Sequence, residues 1–318
     1  PPPCDRQRRR ILQMASTATL LALLRPAAAA APERTGAAPR IGLALGSGGV
    51  RGLAHVQVFE VLEELGVRPH RIAGSSIGAI MGALYAAGLS AAQIRTAVEE
   101  LALKTDEGWF RALFKGNWTR WLQFFQPFGD DGGLVEADAF IEYLADLAGV
   151  RRFEALEIPL QVVATDYWRR SPAVFDTGAL WPAVQGSMAV PGLFSPVSHQ
   201  GRVLVDGGLT NPVPYDVLPD DCEITIAVDA LGARVPEGGG AGAAPKPSYL
   251  DNSFNTFQIM QSAILQEKLR RQRPDFLVSP EIRNVQMLDF HRFEEIFAQA
   301  QPAAERLREG LQARLGGG

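Results

Sequence analysis

The chain has 318 residues, 47% of them hydrophobic and 21% charged, which are the values of a globular protein long enough for one large core or two modest ones. Its net charge of −4 gives no general reason to expect nucleic-acid binding. The two cysteines, Cys4 and Cys222, lie far apart and belong to no Cys-x-x-Cys motif or Cys/His cluster. Cysteine usage therefore argues against a disulfide framework and a structural zinc site.

The N-terminus resembles an export signal. Arg8-Arg9-Arg10-Ile11-Leu12 is similar to a twin-arginine motif, and Met14 to Leu24 is an apolar run too short to span a bilayer. Several Ala-x-Ala cleavage positions follow at Ala27 to Ala31. We expect residues 1–31 to be a cleaved signal and residues 40–315 to form the domain, in a periplasmic or membrane-associated protein. The alternative is an uncleaved anchor or a disordered tail on a cytoplasmic, membrane-peripheral protein.

Two strand–loop–helix units follow each other at the start of the domain. Their elements are, in order, a strand at Ile41–Leu45, a helix at 53–65, a strand at 67–73 and a helix that ends near Gly88. Units of this kind in succession predict parallel strands. We therefore predict an α/β fold, a three-layer α/β/α sandwich around a mainly parallel central sheet.

The loop of the second unit carries a candidate nucleophile. Gly74-Ser75-Ser76-Ile77-Gly78 fits Gly-x-Ser-x-Gly, in which small neighbours let the chain turn sharply and present the hydroxyl of Ser76 at a helix start. The same residues could also form a plain turn before a buried helix. Gly48 and Gly49, in the loop of the first unit, would lie beside Ser76 and offer bare amides to a substrate oxygen. A dinucleotide-binding loop fits less well, because residue 51 is Arg where that fingerprint has Gly.

The chain becomes aromatic and basic after the second unit. A helix is predicted over 90–104, and residues 109–128 then carry eight aromatic and three basic side chains without an acid. Many of the aromatics are spaced by three or four residues, which predicts an aromatic face on a helical insertion. Such a face suits a lid or a lipid interface, with a helix packed on the core as the alternative. We expect peripheral membrane contact through residues 109–128.

The remainder continues the alternation of helices and strands. Helices are predicted at 135–147, 180–188, 254–271 and 293–315, and strands at 160–166, 202–205, 224–229 and 276–278.

The choice of a catalytic base turns on four histidines and one aspartate. The histidines are His55 in a predicted helix, His70 before a strand, His199 in a predicted turn, and His291 at a predicted helix start. Only His291 has the chain order of a Ser-Asp-His triad. Asp206 is the better candidate, because a short strand carries it to a sheet edge and Gly207-Gly208 permits a tight turn there. A carboxylate is a weak base, so it would have to touch the serine in a partly desolvated site.

Three blocks in this order resemble the signature of the patatin-like phospholipases, most closely the bacterial, esterase-like branch. The blocks are Gly46-Ser47-Gly48-Gly49-Val50-Arg51-Gly52, Gly74-Ser75-Ser76-Ile77-Gly78 and Asp206-Gly207-Gly208. Connecting stretches agree, among them Ala164-Thr165-Asp166, the run from Gly186 to Val197, and Asn211-Pro212-Val213-Pro214. The resemblance covers about residues 40–310. Two departures are Ser47 in place of the usual Gly, and Tyr-Trp-Arg-Arg-Ser after Asp166 without the commoner glycine, which we expect to alter the pocket rim.

The resemblance implies that Ser76 is the nucleophile and Asp206 its base, in a Ser–Asp dyad without histidine. Gly48, Gly49 and Arg51 would form the oxyanion hole, with Arg51 holding the loop or meeting an acidic headgroup. The implied reaction is hydrolysis of lipid acyl esters through an acyl-enzyme, as in a phospholipase A, lysophospholipase or carboxylesterase, with no metal or cofactor. The alternatives are a catalytically weak lipid-binding protein on the same fold and a Ser-His-Asp esterase that uses His291.

Overall fold

A sheet of eight strands forms the centre of the fold in the computed structural model, which describes residues 39–104, 137–232, 249–285 and 289–316. The expected export signal at 1–31 and the aromatic segment at 109–128 lie outside these residues. The strands are β1 Ile41–Leu45, β2 Arg71–Ser75, β3 Leu160–Asp166, β4 Ser171–Phe175, β5 Val197–His199, β6 Arg202–Val205, β7 Ile224–Val228 and β8 Phe276–Val278.

Seven α-helices are present in the described ranges. They are α1 His55–Glu64, α2 Ile77–Ala86, α3 Ala91–Lys104, α4 Asp138–Ala148, α5 Leu180–Met188, α6 Tyr249–Arg271 and α7 Phe293–Gly316. Short 3-10 helices lie at Gly49–Ala54, Phe153–Ala155, Gly207–Leu209, Tyr215–Val217 and Phe290–Arg292. None of the helices in these parts of the chain combines the length and the apolar character needed to cross a bilayer.

The sheet is mainly parallel, as predicted. Strands β3, β2, β1, β7 and β8 pair in parallel, in that order, while β4 and β6 pair antiparallel with β3, and β5 pairs antiparallel with β6. The parallel strands follow the strand–helix alternation of the sequence, because a parallel pair needs a long crossover connection.

Helices cover both faces of the sheet, which confirms the three-layer architecture. Side chains alternate across a strand, so Leu43 and Leu45 of β1 point into a large apolar cluster that includes Phe59 of α1 and Ile296 of α7. Ala44 points to the other face, into a smaller cluster that is completed by buried side chains of α6 and of the segment after β6. Those side chains include Leu265, Val213 and Tyr215.

Strands β2 and β6 lie on the same edge of β3 and run towards each other. The other edge of β3 is occupied by β4, which pairs with residues 162–166. Pairing with β2 reaches Val163, opposite Ser75, and pairing with β6 begins at Thr165, opposite Val205. Because β2 is parallel and β6 antiparallel to β3, their carboxyl ends meet with a single residue of β3 between them. Residues 76 and 206, which follow the two strands, are thereby brought together.

The structure differs from the predicted elements at a few points. Strand β2 begins at Arg71, four residues later than predicted, because the chain first closes α1 with Gly66 in the left-handed region (φ 64°). Strands β4 and β5 were not predicted, and His199 is the last residue of β5 where a turn was predicted. The helix predicted from residue 53 begins as the 3-10 helix Gly49–Ala54 and becomes α-helical at His55.

Candidate active site

Ser76 occupies a strained turn between β2 and α2. Its backbone has φ 57° and ψ −125°, a conformation that non-glycine residues rarely adopt and that often marks a functional position. Close packing beneath the turn leaves no room for larger neighbours, since a Cβ on Gly78 would lie 2.1 Å from the carbonyl oxygen of Leu45. The predicted strand–serine–helix turn is therefore present, with the helix beginning at the next residue.

Ser187 of α5 holds this turn in place. Its hydroxyl accepts a hydrogen bond from the backbone amide of Ser76 over 2.8 Å and donates one to the carbonyl oxygen of Val163 over 2.6 Å. Ser76 and Ser187 are both buried, so Ser187 links the strained turn to β3 through hydrogen bonds inside the protein. Ser187 lies in the stretch Gly186 to Val197 that resembles the family, but nothing in the sequence indicated this role.

The hydroxyl of Ser76 donates a hydrogen bond of 2.5 Å to Oδ2 of Asp206. The other carboxylate oxygen accepts the amide of Gly208 over 2.8 Å, and the carbonyl of Asp206 accepts the hydroxyl of Thr165 over 2.8 Å. Only 2% of Asp206 is exposed. Burial raises the pKa of this carboxyl to about 6, and the hydrogen bonds from Ser76 and Gly208 oppose part of the rise. A carboxylate of this basicity can accept a proton from a hydroxyl that touches it.

The glycine loop after β1 lies beside Ser76, as the parallel pairing of β1 and β2 requires. The amide and the hydroxyl of Ser47 both donate to the carbonyl oxygen of Pro212, over 2.8 and 3.2 Å. A Cβ on Gly48 would lie 2.2 Å from the carbonyl oxygen of Ala230, so no side chain fits there. No acceptor is found for the amides of Gly48 and Gly49 within the described ranges. These amides can receive a substrate oxygen in the cavity that both glycines line.

Two buried side chains, Arg51 and His55, support the glycine loop from inside the protein. Nε of Arg51 donates to the carbonyl oxygen of Gly48 over 3.3 Å, and Nε2 of His55 lies 2.9 Å from the carbonyl oxygen of Gly46. Burial lowers the pKa of His55 to about 4, so the ring is neutral at physiological pH and donates through Nε2. Arg51 does not line the cavity, and it supports the loop through its bond to Gly48.

The remaining histidines lie elsewhere. His70 is at the surface, with Nε2 3.5 Å from Oδ2 of Asp221. The ring of His199 packs against that of Phe175 at an angle of 55°, with 5.2 Å between the ring centroids. His291 is exposed on the 3-10 helix before α7. Among the described residues, the cavity at Ser76 has no histidine in its lining.

The cavity at Ser76 and Asp206 is closed on one side by α6, which sequence analysis did not connect with the site. Its lining consists of Ser47, Gly48, Gly49, Ser76, Val190, Asp206, Leu209, Phe257, Gln258 and Gln261. Gln261 is largely buried. Its Nε2, Oγ of Ser47 and Oδ1 of Asp206 surround Gly208: a Cβ on that glycine would lie within 3 Å of all three atoms. No group of side chains suited to bind a metal ion occurs in the part of the chain that the structure describes.

The site has a serine on a strained strand–helix turn, a buried carboxylate bonded to it, and glycine amides with no acceptor among the described residues. These are the parts that a serine hydrolase needs, so this is the candidate active site. The profile of the patatin-like phospholipases matches residues 43–219, more than half of the chain, and the chain belongs to that family. The predicted resemblance is thereby confirmed.

Relatives of known sequence include bacterial and eukaryotic proteins. An uncharacterized NTE family protein of Mycobacterium tuberculosis is 35% identical over 210 residues, which are 66% of this chain and 54% of the relative. Patatin-like phospholipase domain-containing protein 7 of Rattus norvegicus is 32% identical over 61% of this chain and 14% of its own length. Lysophospholipase NTE1 of Kluyveromyces lactis is 28% identical over 83% of this chain and 19% of its own length. The chain thus spans about half the length of the mycobacterial relative and less of the others.

Two solved structures are similar at low identity. VipD of Legionella pneumophila is 14% identical with a TM-score of 0.43, over 84% of this chain and 67% of that one. ExoU of Pseudomonas aeruginosa, in complex with SpcU, is 18% identical with a TM-score of 0.45, over 87% of this chain and 53% of that one.

Proposed function

We propose that this protein is a lipid acyl hydrolase in which Ser76 is the nucleophile and Asp206 its base. The observation that carries the proposal is the 2.5 Å hydrogen bond between the Ser76 hydroxyl and the buried carboxylate of Asp206. Membership of the patatin-like phospholipase family supports the reaction class, and the Kluyveromyces lactis relative, a lysophospholipase by name, supports a lipid substrate.

The proposed reaction has two steps. As Oγ of Ser76 attacks the acyl carbonyl carbon, its proton passes to Asp206, and the tetrahedral oxyanion is received by the amides of Gly48 and Gly49. The C–O bond to the alcohol then breaks, the alcohol takes the proton from Asp206, and an acyl-enzyme remains. Water attacks the acyl-enzyme while Asp206 again accepts a proton, and the fatty acid leaves as the serine hydroxyl is restored.

The positions of the supporting side chains fit this reaction. Arg51 and His55 hold the carbonyl groups of Gly48 and Gly46, and the amides of Gly48 and Gly49 have no acceptor among the described residues. Apolar lining at Val190, Leu209 and Phe257 suits an acyl chain, and the amide side chain of Gln261 suits an oxygen of the ester or of the leaving alcohol. The membrane contact through residues 109–128 and the export of the protein remain predictions of the sequence.

The deciding experiment compares Ser76→Ala with Ser198→Ala, a matched variant at an exposed serine of β5. Both are assayed on a lysophospholipid and on a short-chain p-nitrophenyl ester, and both are treated with a fluorophosphonate probe. We expect Ser76→Ala to lose at least about a thousandfold in kcat and all labelling, because among the described residues Ser76 is the one whose hydroxyl donates to the Asp206 carboxylate. Ser198→Ala should behave as the wild type.

Other outcomes select the alternatives. Wild-type turnover by Ser76→Ala would reject the dyad. A wild-type protein that binds lipid but neither turns it over nor takes the probe would be the lipid-binding protein. If His291→Ala abolished turnover while the protein stayed folded, a triad would replace the dyad.

A further inference from the structure

The turn between β3 and β4 holds two large aromatic side chains in solvent. Tyr167 is 49% exposed and Trp168 is 75% exposed, and their rings pack edge to face with centroids 4.9 Å apart. Adjacent exposed aromatic side chains often mark an interaction surface.

Hydrogen bonds hold this turn in one shape. The Asp166 carboxylate accepts the amide of Arg169 over 3.0 Å and its guanidinium over 2.8 Å, and the carbonyl of Asp166 accepts the amide of Arg170 over 2.8 Å. The amide of Tyr167 donates to the carbonyl of Val203 in β6 over 2.8 Å. These hydrogen bonds fix the backbone of the turn, which holds the two aromatic rings at its exposed tip.

Strand β3 carries the turn past the candidate active site. Val163 lies opposite Ser75, and Tyr167 follows four residues later, which is about 13 Å further along the strand. Thr165, between them, donates its hydroxyl to the carbonyl of Asp206. The turn therefore projects from the carboxyl end of the sheet, the same end at which Ser76 and Asp206 lie.

The charge around the two rings is positive. Arg169, Arg170 and Arg202 are at or beside the turn, and the carboxylate that pairs with Arg169 and Arg202, that of Asp166, is buried. The chain as a whole has a net charge of −4, whereas this tip is basic. Cationic side chains around Trp and Tyr match an anionic lipid surface, where aromatic rings settle at headgroup depth and arginines meet phosphates.

We propose that the turn Tyr167–Arg170 is an interfacial anchor that inserts the rings of Tyr167 and Trp168 into the headgroup region of an anionic phospholipid bilayer. A lipid surface fits better than a protein partner, because a stable protein interface buries about 800 Å² on each side and a four-residue tip is too small for that. The anchor is independent of the chemistry at Ser76, and it orients the carboxyl end of the sheet towards the bilayer.

The test is co-sedimentation of the full chain with vesicles of ether-linked lipids, which resist ester hydrolysis. Vesicles of phosphatidylcholine are compared with vesicles that also contain phosphatidylglycerol. Tyr167→Ala/Trp168→Ala should bind the anionic vesicles at least about tenfold more weakly than the wild type. The matched control is Leu277→Ala, an exposed apolar residue on β8 at the far edge of the sheet, which should bind as the wild type does.

A second pair of variants tests the charge. Arg170 has φ 54°, which Asn tolerates, so Arg170→Asn keeps the turn while removing its charge. Loss of one cation near the surface should weaken binding to anionic vesicles about fivefold and leave binding to neutral vesicles unchanged. Arg273→Asn, at an exposed arginine after α6, is the control.

Three results would overturn the anchor. One is a wild-type protein that stays in the supernatant with anionic vesicles. Another is equal binding by the double aromatic variant and the wild type. The third is a dimer in sedimentation velocity that the double variant abolishes, since the rings would then serve a second copy of the chain. Turnover of a water-soluble ester by the variants reports separately on the active site, so failure of the anchor and failure of the hydrolase proposal are distinguishable.

Discussion

Ser187 and Ser76 are joined by a buried hydrogen bond of 2.8 Å, in which the hydroxyl of Ser187 accepts the backbone amide of the strained serine. The same hydroxyl donates to Val163 of β3. A single side chain of α5 therefore satisfies the amide that the unusual backbone of Ser76 would otherwise leave without a partner in the protein interior. This geometry makes Ser187 a positioning residue for the nucleophile.

Ser187→Ala should lower kcat about tenfold to a hundredfold with little change in KM, because Ser76 loses the contact that fixes its turn. The buried amide left without a partner should also cost about 1–3 kcal/mol in the free energy of unfolding. Steady-state kinetics on a soluble ester and urea denaturation measure the two effects, with Ser198→Ala as the control. A wild-type kcat in a variant that is destabilised would reduce Ser187 to a purely structural role.

The pH dependence of turnover should report the ionisation of Asp206. The proposed base must be ionised to accept the proton of Ser76, and burial raises its pKa to about 6. We expect kcat/KM for a p-nitrophenyl ester to be constant above that pH and to fall about tenfold per unit below it. The rate of fluorophosphonate labelling should follow the same curve. A midpoint near 4, the ordinary value for an aspartate, would contradict this environment for the carboxyl.

Asp206→Asn should lose activity and gain stability at neutral pH. Because the folded-state pKa of Asp206 is raised, its contribution to stability is fully present below the unfolded-state value of 3.8 and is lost as pH rises through about 6. Above that pH, ionisation of the buried group costs about 3 kcal/mol, which the amide avoids. Urea denaturation at pH 8 and at pH 4 checks this. If Asp206→Asn were less stable than the wild type at pH 8 and equally stable at pH 4, the folded state would favour the ionised carboxylate, and a raised pKa for Asp206 would be contradicted.

Lys268 of α6 should stabilise the segment that supports the glycine loop. Its ammonium donates to Oδ1 of Asn211 over 2.5 Å, to the carbonyl of Val213 over 2.7 Å and to Oδ1 of Asp216 over 2.6 Å, and it is mostly buried. Lys268→Met removes all three bonds and should cost about 2–4 kcal/mol in the free energy of unfolding. The segment includes Pro212, the acceptor for Ser47, so kcat should fall as well.

Arg270→Met, at an exposed position of the same helix, is the control for Lys268→Met and should change the free energy of unfolding by less than about 0.5 kcal/mol. Equal midpoints for the two variants would mean that the segment is held without Lys268.

The parts of the fold that were predicted from sequence are those whose signals are local. The bounds of β3 and β6 agree with the prediction, because each is an apolar run that ends where polar residues or glycines reach the sheet edge. Strand β4 was missed, since Pro172 interrupts its pattern and Val174 faces solvent, as an edge strand allows. Strand β5 has three residues, too few for an alternation to be visible.

The candidate site divides in the same way. Ser76, Asp206 and the glycine loop lie at strand ends that the sequence punctuates with glycine, so their positions could be predicted. Gln261 could not be connected with them, because it lies within a long helix whose pattern does not indicate which side meets the cavity. The orientation of α6 is set by Leu265, one turn further along the helix, which packs in the same apolar cluster as Ala44 of β1. The role of Ser187 likewise depends on where α5 packs.

Strands β2 and β6 meet on one edge of β3. The distance between Ser76 and Asp206 therefore depends on their register with β3 and not on the length of the segments that connect the strands. The two residues are 130 positions apart in sequence, yet their spacing is determined by which residues of β3 each strand contacts. Connecting segments outside β3 and α5 can therefore lengthen, shorten or be exchanged between homologues without moving the two groups apart. Substrate preference can diversify in those segments while one strand keeps the reacting pair in register, which makes them the natural place to graft a new specificity.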